Sequence, residues 1–184
     1  ADIKRLKLDA FDRSNDLKPL SVVTGDIIAK NAYEWSKATE SPLAQAAVRG
    51  AEKITVRPLL GHSGKAVKLP KGASLSYDFY CDKSGDARFT IAAIPCFLNA
   101  VKDMRVSVSI DRGEPVICQL KEVYNSKDWQ FDLWRGQTLK SFYVTLPGGS
   151  HNVTIKALDD NVMIDQWVLD YDVDREYYVF PVAK

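Results

Sequence analysis

From Ile54 onward the chain is a series of short apolar–polar alternations divided by turn residues. The alternating stretches are ITVRPL (54–59), AVKLP (66–70), LSYDFY (75–80), RFTIAAI (88–94), RVSVSID (105–111), VICQL (116–120), KSFYVTL (140–146), HNVTIKAL (151–158) and VMIDQWVLDY (162–171). Val106, Val108 and Ile110 fall on one face of their stretch with Ser107 and Ser109 on the other, and Val153, Ile155 and Ala157 repeat the pattern. A period of two with one apolar face is the signature of an antiparallel strand that packs one side on a core. Between the stretches lie Pro70-Lys71-Gly72, Lys83-Ser84-Gly85-Asp86, Asp111-Arg112-Gly113-Glu114, Pro147-Gly148-Gly149 and Asp159-Asp160-Asn161. Each offers a Gly, Asn or Asp for a turn that needs positive φ. VVTGDII (22–28) reads as a first strand, and SPLAQAAVRG (41–50) as a short helix entered at Ser41-Pro42 and closed by Gly50.

About nine short strands without alternating long helices predict an all-β protein, an antiparallel β-sandwich or jelly roll with at most one or two short helices. Residues 1–20 are charged, weakly periodic and end near Pro19, which predicts a connecting arm ahead of a β-sandwich domain over 21–184. A chain of 184 residues is one domain by length. It starts at Ala1 without Met, as expected of a processed product or a piece of a longer protein.

Charge and chemistry narrow the function. Twenty-five Lys and Arg against 24 Asp and Glu leave a net charge of +1, which argues against nucleic acid and a polybasic membrane surface as partners. No apolar run reaches the roughly 18 residues of a membrane span, so no membrane insertion is expected. Cys81, Cys96 and Cys118 sit in apolar stretches at spacings that fit no zinc pattern, and read as small buried hydrophobes, with a single disulfide or a reactive thiol as the alternatives. No nucleophile elbow, Walker loop, dinucleotide fingerprint or zincin motif occurs, and the acids are dispersed, so no catalytic residue, metal or cofactor is assigned. Asp159-Asp160-Asn161 reads as a hairpin turn rather than a calcium ligand set, and His151 as a residue of the preceding turn. His62, in Gly61-His62-Ser63-Gly64, lies where backbone could approach a ligand closely, or else in a sharp loop with a surface histidine.

The aromatic residues carry more. Trp129 and Trp134 fall in SKDWQFDLWRGQ, read as a polar, turn-rich segment where strand patterning does not account for large rings. Flat rings beside Asp, Gln and Arg suit sugars, whose C–H faces stack and whose hydroxyls need fixed partners. The alternative is that the rings cover the end of the core or an interface. Trp35 follows the first strand and fits either role, whereas Trp167 alternates with apolar neighbours and reads as core.

Four segments, in order, resemble the C-terminal domain of glycoside hydrolase family 115, the xylan α-1,2-glucuronidases. VRPLLGHSGKAVKLP (56–70) is similar to its W-x-x-I-x-G-L-G-R-S-G-x-A-V stretch, and LSYDFYCDKSGDARFTIAAIPCFLNA (75–100) to its L-E-Y-D-F-Y segment. RVSVSIDRGEPVICQL (105–120) resembles R-Y-A-V-S-I-D-x-G-x-P-Q, and GGSHNVTIKALDDNVMIDQWVLDY (148–171) the closing D-x-x-V-L-D block, with Tyr178 to Pro181 echoing S-Y-L-G-P-P. The resemblance implies a galactose-binding-like sandwich, a non-catalytic accessory module of a hemicellulose-degrading enzyme. Its implied partners are a plant cell-wall polysaccharide such as glucuronoxylan and the preceding catalytic domains of the same protein. The candidate carbohydrate-binding residues are Trp129, Trp134, Trp35 and His62. The implied setting is an exported bacterial protein, periplasmic or cell-surface. The alternative role is structural, in domain packing or a homodimer; a self-contained hydrolase is the remaining reading. The chain departs from the family at His62, where Arg is usual. It departs again at Ala29 and Asn31, which replace acids that hold structural calcium in related sandwiches.

Overall fold

The structure is a computed structural model that describes residues 26–177, 180 and 181. The expected arm, the start of the expected first strand and Tyr178 lie outside the described residues. Among the described residues eleven strands and two short helices follow in chain order. They are β1 (Ile27–Asn31), β2 (Lys37–Thr39), α1 (Pro42–Gln45), β3 (Thr55–Pro58), β4 (Lys65–Leu69), β5 (Ser74–Cys81), β6 (Gly85–Ala93) and β7 (Arg105–Ile110). After these come β8 (Val116–Gln119), α2 (Lys127–Arg135), β9 (Thr138–Leu146), β10 (Gly149–Ala157) and β11 (Val162–Asp170). All nine alternating stretches from Ile54 onward are strands.

Every pairing is antiparallel. One sheet runs β3-β4-β11-β6-β9, with β1 also on β11; the other runs β2-β5-β10-β7-β8. Their inner faces meet around Trp167, which is fully buried against Tyr77, Phe79 and Phe89 at centroid distances of 5.3–5.6 Å. Burying an indole removes about 200 Å² from water, worth roughly 5 kcal/mol. Tyr77 Oη donates to the Ala32 carbonyl at 2.8 Å, so the ring's polar tip is satisfied inside the core. Cys81 and Cys118 are buried free thiols, as expected of small hydrophobes, whereas Cys96 is only partly buried, in the β6–β7 connection.

Two readings change at the helices, and one strand is new. Helix α1 is capped by the Ser41 hydroxyl as expected, but it ends at Gln45, and Ala47 (φ 52°) turns the chain out before Gly50. The segment over SKDWQFDLWRGQ is not a turn-rich loop but carries α2. β2 has three exposed residues and no apolar face to announce it.

Asp159-Asp160-Asn161 is not the expected hairpin turn: β10 and β11 lie in different sheets, and the segment carries the chain from one to the other. Asp159 takes both Nε and Nη2 of Arg105, at 2.8 and 3.0 Å, and these bonds hold its carboxyl below the usual range. His151 sits inside β10 rather than in the turn before it. Among the described residues no helix is long and apolar enough to cross a membrane.

Candidate functional site

Helix α2 forms because its ends are capped. The Ser126 hydroxyl accepts the Trp129 N–H at 3.1 Å, Asp128 lies in the first turn, and Arg135 in the last. Gly136 leaves in the left-handed conformation (φ 69°) with its N–H on the Asp132 carbonyl at 2.8 Å. At roughly 100° per residue, Trp129 and Trp134 point about 140° apart. The two rings therefore do not share one surface.

Trp129 turns inward. It is half-buried edge-on to Phe97 at 5.5 Å and Tyr124 at 5.1 Å, and its Nε1 is buried without a hydrogen-bond partner. Asp132 also turns inward and accepts the Thr138 hydroxyl at 2.6 Å. Burial pushes the Asp132 carboxyl up to about 6; the Thr138 bond opposes this and the nearby Glu122 charge adds to it. Trp134 turns outward with 83% of its surface exposed, beside Phe131 at 54%. A rigid helix thus presents an indole and a phenyl ring to solvent.

The C-terminal end of α2 is tied to the β3–β4 loop. His62 is exposed, and its Nε2 donates to the Arg135 carbonyl at 2.8 Å, next in the chain to Trp134. The loop is anchored on Asp165, a fully buried carboxylate of β11. Oδ2 accepts the His62 N–H and Gln137 Nε2, both at 2.7 Å. Oδ1 accepts the Ser63 N–H at 3.2 Å and the Ser63 hydroxyl at 2.5 Å. A Cβ on Gly61 (φ 78°) would stand 2.3 Å from Oδ1, so only glycine fits there. The close approach that Gly61 permits is to the chain's own Asp165. The Ser63 hydroxyl and the His62 ring point to different partners and form no nucleophile–base pair.

The structure therefore brings His62 to α2 and keeps Trp134 free, while Trp129 is engaged in an aromatic cluster. Trp35, in the β1–β2 connection, is half-buried against the core and makes no ring contact with the other tryptophans among the described residues. Asn31, at one of the positions where the related sandwiches carry acids, donates Nδ2 to Tyr33 Oη at 3.1 Å and accepts Gln166 Nε2 at 3.3 Å. Phe131, Phe97 and Tyr124 were not singled out from sequence. The helical ends at Ser126 and Gly136 would have placed Phe131 on the outer face with Trp134.

The profile of the glycosyl hydrolase family 115 C-terminal domain matches residues 25–183. The chain belongs to that family. Among solved structures, this family 115 domain is similar to BtGH115A, described as a 4-O-methyl-α-glucuronidase with specificity for decorated arabinogalactans. The TM-score is 0.67 at 26% identity, over 82% of this chain. The match takes in only 18% of BtGH115A, so the chain spans less than a fifth of that relative's length. The same fold recurs in the C-terminal family 6 carbohydrate-binding module of LamC, a laminarinase from Zobellia galactanivorans. There the TM-score is 0.51 at 16% identity, over 78% of this chain and 98% of the module. A family 35 carbohydrate-binding module from Clostridium thermocellum gives 0.54 at 15% identity, with the same coverage of each chain. No curated protein sequence matches. The expected β-sandwich and the family resemblance are both borne out.

Proposed function

We propose that this family 115 domain is a non-catalytic module that binds a plant cell-wall glycan through the outer face of α2, in support of the hydrolase domains of a longer parent protein. The observation that carries the reading is Trp134, a fully presented indole on a capped helix. The His62 bond to Arg135 and the Asp132–Thr138 bond hold the helix still. A pre-organised aromatic platform suits the apolar face of a sugar ring, and its loss costs about 0.5–1.5 kcal/mol, roughly two- to twelvefold in affinity. The sandwich shared with carbohydrate-binding modules supports the same reading. Its setting is an exported protein, periplasmic or cell-surface, with glucuronoxylan as the first glycan to try.

The test is tryptophan fluorescence during titration with xylan-derived and arabinogalactan-derived oligosaccharides and with glucuronic acid. Binding that quenches the wild type and weakens in Trp134→Ala supports the proposal. Unchanged fluorescence with every sugar, together with no heat of binding, overturns it.

A second reading has its own observation. Leu98, Val123 and Leu133 are each at least half exposed, and aliphatic side chains do little for a sugar. They suit packing against another domain or a second copy. Sedimentation of the isolated chain as a monomer at high concentration counts against the dimer.

A further inference from the structure

The two outward sheet faces are treated differently by the chain. On the β11-containing sheet, Phe180 packs over Ala92 and Val168, and Gln166 Nε2 donates to the Pro181 carbonyl at 3.3 Å, so the chain's own tail covers that face. The outer face of the other sheet has no such cover among the described residues. Alternation and register set polar pairs in rows across it: Tyr80 opposite Ser150, Asp78 opposite Asn152, and Ser76 opposite Thr154. Lys37 of β2 continues the last row on one side and Ser109 of β7 on the other. The rows line a depression of about 660 Å³ that reaches from Lys37 on β2 to Arg112 in the turn after β7. A second depression adjoins it through Asp78, Asp111 and Asn152 and reaches Tyr80, whose ring is 63% exposed.

Four features set this face apart from an ordinary solvated sheet surface. Its carboxylates are engaged: Asp78 takes Asn152 Nδ2 at 2.7 Å, and Asp111 takes the His151 ring at 2.6 Å and the Asn152 N–H at 2.9 Å. Its cations are not, since Lys37 and Arg112 make no ion pair among the described residues. Arg112 also holds a left-handed backbone conformation (φ 61°) that glycine adopts more readily, although Gly113 is its neighbour. Between the cations the hydroxyls are already ordered, with Ser76 Oγ on Thr154 Oγ1 at 2.8 Å and Thr154 Oγ1 donating to Asn152 Oδ1 at 3.2 Å.

We infer that this open face is a second saccharide site, separate from α2, and that it takes a uronate-bearing oligosaccharide. A sugar carboxylate pairs with Arg112 or Lys37, its hydroxyls exchange hydrogen bonds with Ser76, Asn152 and Thr154, and Tyr80 lies under the end of the chain. The inference rests on reading the domain as a glycan-binding module, but not on the α2 surface.

The experiment follows backbone amide resonances of the full chain. The probes are a glucuronic-acid-substituted xylo-oligosaccharide, its neutral counterpart, and inorganic triphosphate as a bare polyanion. Amides of β5, β10 and Arg112 are expected to shift with the acidic sugar. Affinity should fall roughly tenfold in Lys37→Ala/Arg112→Gly and fall also in 0.5 M salt, while Trp134→Ala leaves it intact. Arg112→Gly relaxes a strained turn, so a melting temperature at or above that of the wild type certifies the fold. Shifts confined to α2, an unaltered affinity in the double variant, or triphosphate binding as tightly as the sugar each overturn the inference alone. No response to any saccharide at either face overturns it together with the function proposed above.

Discussion

Asp165→Asn is nearly isosteric, and its cost can be worked from the four hydrogen bonds its carboxylate accepts. Each oxygen accepts two donors: the Ser63 N–H and hydroxyl on Oδ1, the His62 N–H and Gln137 Nε2 on Oδ2. An asparagine must set its NH₂ against one of these pairs, and the Ser63 side is the cheaper, because the hydroxyl can turn its proton to the Lys65 carbonyl at 3.2 Å and accept from the amide. The Ser63 N–H then loses its acceptor at about 1–3 kcal/mol, so a loss near 2 kcal/mol is expected. For a chain of this length that is about 6 °C in melting temperature. In urea, with a slope near 2 kcal/mol per molar, the midpoint falls by about 1 M with the slope unchanged. Hydrogen exchange at the His62 and Ser63 amides should quicken before the sheets open, because the loop loses its anchor first. Gly61→Ala should reproduce the effect from the other side, since its Cβ would enter the carboxylate. A midpoint shift under about 0.5 M in Asp165→Asn would refute the reasoning, because it would mean that water or a rotated loop satisfies the donors at little cost.

Two predictions concern pH. Both ring nitrogens of His151 face acceptors, the Asp111 carboxylate and the Pro147 carbonyl, so only the imidazolium satisfies both. Burial works to lower its pKa, but the bonds to Asp111 and Pro147 outweigh it and hold the histidine above its ordinary value; the same contact holds Asp111 below its own. The stability from His151 is therefore complete below about pH 6.5 and lost as pH rises through the raised value, while that from Asp111 is lost as pH falls below about 4. A proton NMR titration should find His151 above 6.5, and Asp111→Asn should bring it down; a titration unmoved by that change would sink the assignment. Asp132 pushed up to about 6 binds a proton more readily folded than unfolded, so stability declines between about pH 4 and 6. Asp132→Asn keeps an acceptor for Thr138 and should flatten that decline; urea midpoints at pH 4 and pH 7 that differ as much as in the wild type would count against it.

What could be read in advance follows from how each feature is encoded. β7 and β10 show themselves within six to nine residues because each buries one face and leaves the other wet. β2 buries nothing, so its three residues carry no pattern and only the pairing with β5 creates it. Helix α2 is hidden for a different reason. Trp129 and Leu133 fall toward one side and Phe131 and Trp134 toward the other, so the apolar residues form no single stripe and the segment resembles a turn with stray aromatics. Its ends are nonetheless written locally, in Ser126 and Gly136, and the cap sets the helical phase. That phase decides which tryptophan is covered and which is free, a distinction that composition alone cannot draw. The Asp165 anchor was beyond reach of any local pattern, because its partners lie 28 to 103 residues away and meet only once the sheets are stacked. The part of the candidate site that touches solvent is thus governed by four or five neighbouring residues. The part that holds it in place is governed by the whole fold, so Trp134→Ala should alter binding without altering stability and Asp165→Asn should do both.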